Sequence, residues 1–202
     1  ILNMGSGLPF THLLSNVNAQ FTLWIQNGQK VFSLIDGGMG LIVNQNGSNM
    51  RTISGEEPQD IAFNSDQSMA VFTGADHNIY LINLNEDQSP VKLTAESNNE
   101  WYGDPEFIEG EDRILYWQQI HQANNNVGVK DIFTMDFDGK NVIQVSQAQN
   151  FDKYIMPRMS PDGTKILYVI EGNGLYQMNY PGEISGNPVT KSNGEKIFPV
   201  VS

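Results

Sequence analysis

Three patterns in this chain use residue types that can do chemistry. The first is Asp136-Phe137-Asp138-Gly139-Lys140-Asn141, with oxygen-bearing side chains spaced as in a loop that wraps a hard cation. It lacks the downstream bidentate acid of an EF-hand, and no helical pattern flanks it. The related run Asn44-Gln45-Asn46-Gly47-Ser48-Asn49 has amides in place of the acids, so a tight β-turn is the expected role of both. The second pattern is the histidine set. His12, His77 and His121 share no ligand spacing and read as surface or turn residues. The third is Trp101-Tyr102 with Asp104, placed shortly before a long insertion, His121–Val129. Nucleophilic chemistry has little to work with. There is no cysteine, no Gly-x-Ser-x-Gly elbow, no P-loop and no dinucleotide fingerprint. We therefore expect no catalytic residue, no cofactor and no metal, and no hydrolase or transferase activity in this chain.

The elements that must position these residues are repeated. Met156 to Val169 reads as strand, tight turn, strand around Ser160-Pro161-Asp162-Gly163. Pro presets φ there, Asp caps the following backbone and Gly supplies positive φ. Equivalent turns are expected at Asn27-Gly28, Ser65-Asp66 and Glu111-Asp112. Each precedes an apolar run: Val31–Ile35, Met69–Thr73, Ile114–Trp117 and Ile166–Ile170. A third strand, a second polar turn and a short fourth strand follow each run. The period is about 40–50 residues, and each unit holds four antiparallel strands, as in the blades of a β-propeller. The runs have no polar face, so Val71, Phe72, Ile166, Tyr168 and Val169 are expected to be buried. Helix formers do not cluster, and nineteen Gly with nine Pro suit many turns. The fold class is all-β.

Pro157 to Ile166 and Asp136 to Asn141 closely match the pattern P-x-x-S-P-D-G-x-x-I followed by D-x-D-G-x-N. On these residues the chain resembles the WD40-like Pro-Asp propeller repeats of the TolB family. The resemblance implies a TolB-like β-propeller over residues 1–202. Four full blades are expected, with partial blades at both ends: a five-bladed ring if it closes, or part of a six-bladed one. It also implies a periplasmic or secreted protein of the cell envelope. Family propellers bind the peptidoglycan-associated lipoprotein, so an envelope lipoprotein is the implied class of partner. Similar propellers also precede hydrolase domains. The alternative is thus the propeller of a larger hydrolase or sugar-active lyase.

Charge narrows the partners. With 23 acidic and 11 basic residues, the formal net charge is −12 and no basic patch is present. No nucleic-acid partner is expected on electrostatic grounds, and an anionic membrane surface would repel the chain. No run is long enough to span a bilayer, so no direct membrane insertion is expected. A protein partner is expected instead. Within a blade, the loop joining the second and third strands lies on the same face as the blade-to-blade loop. That face collects the variable loops and more acids than bases. It supplies the candidate binding residues Asp60, Trp101, Tyr102, Asp104, His121, Asp152 and Tyr154. The competing role for the aromatics is to wedge blades apart.

Overall fold

The computed structural model describes residues 19–35, 39–53, 57–86, 88–95, 99–120, 128–147, 153–182 and 187–188. They form four sheets of four antiparallel strands in chain order. Blade 1 holds β1 (Ala19–Ile25), β2 (Lys30–Ile35), β3 (Met39–Asn44) and β4 (Arg51–Ile53). Blade 2 holds β5 (Ile61–Phe63), β6 (Met69–Thr73), β7 (Ile79–Asn83) and β8 (Val91–Lys92). Blade 3 holds β9 (Glu100–Ile108), β10 (Arg113–Ile120), β11 (Lys130–Asp136) and β12 (Ile143–Gln144). Blade 4 holds β13 (Tyr154–Met159), β14 (Lys165–Ile170), β15 (Gly174–Asn179) and β16 (Asn187–Pro188). The chain is thus an all-β propeller fold of four-stranded blades. The partial blades expected at the two ends lie outside the described residues.

The turns follow the side chains that make them. In the last blade Gly163, at φ 69°, donates its N–H to the Ser160 carbonyl at 2.8 Å. The Asp162 carboxylate accepts from Ser160 Oγ at 2.6 Å, Thr164 Oγ1 at 2.8 Å and Thr164 N at 3.1 Å. These bonds pull its pKa down to about 2. Matching 3-residue closures form at Ile25–Gly28, Asn64–Gln67 and Ile108–Glu111, where the repeat places them. The second turn is equally local. Gly139 closes onto Asp136 as Gly47 closes onto Asn44, each at 2.9 Å. Asp136 is taken by Arg113 at 2.5 Å and Asp138 by Lys140 at 2.8 Å. The run 136–141 is a structural turn. At φ 78° Gly139 also sits so close to blade 2 that a Cβ would lie 2.3 Å from the Leu93 carbonyl oxygen.

The core lies between blades. Phe32, Leu34 and Ile42 of blade 1 meet Phe72, Tyr80 and Ile82 of blade 2. Val71 and Ile79, on the opposite face of blade 2, meet Tyr102, Phe107, Ile114 and Tyr116 of blade 3. Ile108, Leu115 and Ile132 then meet Ile166, Tyr168 and Ile170 of blade 4. Each inner blade is therefore covered on both faces, which is why its strands carry no polar side. Val71, Phe72, Ile166 and Tyr168 are buried as expected, but Val169 is only half-buried. Leu167 and Val169 point away from blade 3, to the face of blade 4 against which no other described blade packs. Among the described residues the core clusters join blade 1 to 2, 2 to 3 and 3 to 4, so these blades form a consecutive arc.

Candidate partner-binding face

The loop joining the second and third strands of blade 2 reaches the first strand of blade 3. In blade 2 this loop is Gly74–Asn78. His77, in the left-handed region at φ 59°, accepts a backbone bond from Tyr102 N at 3.0 Å. Its ring stacks on Trp101, with centroids 4.4 Å apart and planes 27° apart. Trp101 remains 40% exposed there. Glu100 stands beside it and accepts from the Tyr102 hydroxyl at 2.7 Å. Burial first, and the Glu100 carboxylate second, push the Tyr102 phenol up.

Asp76 anchors the loop. Its carboxylate accepts from Asn78 N at 3.1 Å, Asn78 Nδ2 at 2.9 Å, the Tyr80 hydroxyl at 2.8 Å and Lys92 Nζ at 2.8 Å. Burial opposes ionisation, but these donors outweigh it and bring the pKa down to about 2. Asp76 therefore ionises more readily folded than unfolded. Its stabilising contribution is complete above the unfolded carboxylate value of about 4 and is lost as pH falls toward about 2. Asp76→Asn should lower stability at neutral pH and flatten its decline across that window. Urea midpoints measured at a series of pH values check this, and an unchanged pH profile contradicts it.

Toward the inner strands a second arrangement repeats. Asp60, Asp104 and Met156 occupy the same place in three successive blades, each four residues before the closing residue of its hairpin turn. Asp104 N donates to the Asp60 carboxylate, and Met156 N donates to Asp104 Oδ2 at 3.1 Å. Each clasp ties one blade to the next. Asp104 and Met156 both have positive φ, at 49° and 53°, and each lies at a register shift in its strand. Pro105 and Pro157 follow them, at bulges where a missing N–H costs no ladder bond. Asp104 Oδ2 also accepts from Trp117 Nε1 at 2.7 Å. Lys130 Nζ lies 3.7 Å from the Trp117 ring centroid. Burial lowers the Lys130 pKa, while the charges of Asp104 and Glu171 oppose that. One residue pair further in, Met159 N donates to Glu106 Oε2 at 3.0 Å. Asp60, Asp104 and Arg158 border a cleft of about 320 Å³. Asp60 is exposed at its mouth, yet neighbouring protein displaces enough water for desolvation to raise its carboxyl first, and the Asp104 charge second.

The candidate residues thus divide. Trp101 is presented to solvent, and Asp60 lies at the rim. Asp104 is half-buried at the same cleft and is engaged as an acceptor between blades 3 and 4. Tyr102 and Tyr154, each 5% exposed, are corrected as surface anchors. Tyr102 packs toward Tyr116, and Tyr154 toward Tyr168, so both fill the spaces between and within blades. His121 and Asp152 lie outside the described residues. Two neighbours of the candidate residues carry no local marker of that place in the sequence: His77 as the ring under Trp101, and Arg158 beside Asp60. The equivalence of Pro105 and Pro157 was the available signal for the second. Among the described residues no three of His, Cys, Asp and Glu are grouped to hold a metal ion. No described helix is long and apolar enough to cross a membrane.

No protein-family model matches the chain. It is similar to the protein described as a TolB homolog from Chlorobaculum tepidum, at 35% identity over 63 residues. That match covers 31% of this chain and 14% of the relative. Among solved structures it is similar to an oligogalacturonate lyase in complex with manganese, with a TM-score of 0.61 and 13% identity. The match covers 83% of this chain and 52% of the lyase. It is also similar to the tricorn protease, with a TM-score of 0.57 and 12% identity, over 75% of this chain and 15% of the protease. These likenesses show a propeller fold. The chain spans about half of one neighbour and a small part of the other two.

Proposed function

We propose that this chain is a protein-binding propeller module of the cell envelope that performs no turnover itself. Its partner would dock on the face around Trp101. The observation that carries this reading is Trp101 itself: a large, exposed aromatic held on His77 and fixed by the bond between Tyr102 N and His77 O. An aromatic already held in place loses little side-chain freedom on binding, which favours it as an interface anchor. Glu57, Asp60 and Glu100 add negative charge to the same face, so a partner with a basic surface is favoured. The similarity to the TolB homolog supports a periplasmic setting, and an envelope lipoprotein is the partner class that the resemblance of the Pro-Asp repeats implies.

The alternative is the propeller of a larger hydrolase or sugar-active lyase. It draws support from a lyase and a protease that share this fold within longer chains. The full open reading frame separates the two, since a following α/β-hydrolase segment would favour the enzyme. The binding reading is tested by capture from envelope extract with the wild-type chain and with Trp101→Ala. We expect a protein retained by the wild type and reduced at least about tenfold by the variant, the scale of one interface hot spot. Equal retention by both would contradict this reading.

A further inference from the structure

The cleft of about 320 Å³ takes its walls from the inner strands of three successive blades. Asp60, just before β5, comes from blade 2, Asp104 and Pro105 from β9 of blade 3, and Arg158 from β13 of blade 4. Its volume is at the lower end of the range for small-molecule sites. Arg158 breaks the repeat. It lies two residues before the closing residue of its hairpin turn, a place held by Ala62 in blade 2 and Glu106 in blade 3. Glu106 has a structural task there, since it accepts the Met159 N–H of the next blade. Arg158 has no such task. One N–H on Nη1 donates to the adjacent Pro157 carbonyl at 2.9 Å. Among the described residues its other four N–H donors make no hydrogen bond, and no carboxylate forms an ion pair with it. Asp60 is exposed at the mouth and accepts one bond, from Asp104 N, which leaves acceptor capacity on its carboxylate. The Arg158 charge reaches Asp60 and favours its ionised form, yet the two do not pair. Opposite charges thus border one cleft with bonding capacity unused on both. A lone cation there would be repelled by Arg158, and a lone anion by Asp60 and Asp104. A solute that carries both charges close together satisfies both walls. Ala62 and Pro105 add apolar surface beside them.

We propose that this cleft binds a free α-amino acid as its zwitterion, with the carboxylate on the Arg158 guanidinium, the ammonium on the Asp60 carboxylate and an aliphatic side chain against Ala62 and Pro105. The planar guanidinium fork suits a carboxylate, and an ammonium suits an acceptor that is already charged. Desolvation first, and the Asp104 charge second, work against the ionised Asp60, and a ligand ammonium offsets both. Trp101 is not a wall of this cleft, so the site does not rest on partner docking there.

Calorimetric titration of the full 202-residue chain with L-leucine, N-acetyl-L-leucine and L-leucinamide, at neutral pH and constant ionic strength, tests the proposal. Saturable binding of L-leucine is expected. Each blocked derivative presents a single charge and should bind at least about tenfold more weakly, the scale of one charge-assisted bond. Arg158→Gln and Asp60→Asn should each weaken L-leucine binding by a similar factor. Asp60→Asn keeps an acceptor for Asp104 N, so its effect reads the lost charge. Lys165→Gln, at an exposed position of blade 4 away from the cleft, should leave binding unchanged. Absence of saturable L-leucine binding would overturn the proposal. So would equal binding of either derivative, which would mean that a single charge suffices, or L-leucine binding undiminished in both cleft variants. Should the variants fail to fold, the three ligands titrated into the wild-type chain still decide it.

Discussion

Replacing Phe72 by Ala should destabilise the chain by about 3–5 kcal/mol, a large share of the stability of a typical domain. Phe72 is fully buried on β6, between blades 1 and 2. Its ring stacks on Tyr80 with centroids 5.5 Å apart. Truncation leaves a cavity with both a blade and a neighbouring blade as walls. Paired sheets cannot close over it without breaking their ladders, so little of the void should collapse. Val169→Ala is the internal comparison. Val169 is a strand residue of the same apolar kind but only half-buried, and its loss should cost well under half as much. Chemical denaturation of the two variants side by side checks this. Equal costs would mean that burial between blades is not what holds this fold.

The second large effect concerns Asp104. Asp104→Ala should cost about 2–4 kcal/mol, because it strands the Trp117 indole N–H and the Met156 backbone N–H, two donors that now share one carboxylate oxygen. Alanine also fits poorly at the positive φ that Asp104 adopts. Asp104→Asn keeps an acceptor and tolerates that backbone, so it should recover at least about half of the loss. The distinctive outcome is local. Hydrogen exchange at Met156 should accelerate in the alanine variant more than exchange at Tyr80, which lies at a different blade interface. Uniform acceleration would show that Asp104 stabilises blade 3 alone and does not clasp it to blade 4.

Much of this fold was readable because turn chemistry is local. Asp162 and Asn46 specify their turns through side-chain bonds to residues two positions away, and Gly163 and Gly139 through backbone bonds to residues three positions back. Strand burial was readable for β6 and β10, whose apolar runs are covered on both faces. It was misjudged at Val169 because burial of the second face depends on what packs beyond blade 4, which the run Ile166–Ile170 does not encode. The site was less legible for a similar reason. Trp101, Tyr102 and Asp104 are neighbours in sequence, but alternation along β9 sends Tyr102 into the interface while Trp101 stays at the surface. The bulge at Asp104 then turns its carboxylate toward Trp117 and Met156. Neither the bulge nor the ring stacking of His77, 24 positions before Trp101, has a marker in the local residue types.

The most direct measurement on the proposed role is the association kinetics of the captured partner with the wild-type chain and with Trp101→Ala, over a range of salt concentrations. An acidic docking face predicts that association slows as salt rises, because steering between opposite charges is screened beyond about 8–10 Å at moderate ionic strength. A desolvated aromatic anchor predicts that Trp101→Ala acts mainly by speeding dissociation, at least about tenfold. Association that ignores salt, together with dissociation unchanged in Trp101→Ala, would contradict a partner-binding role for this face.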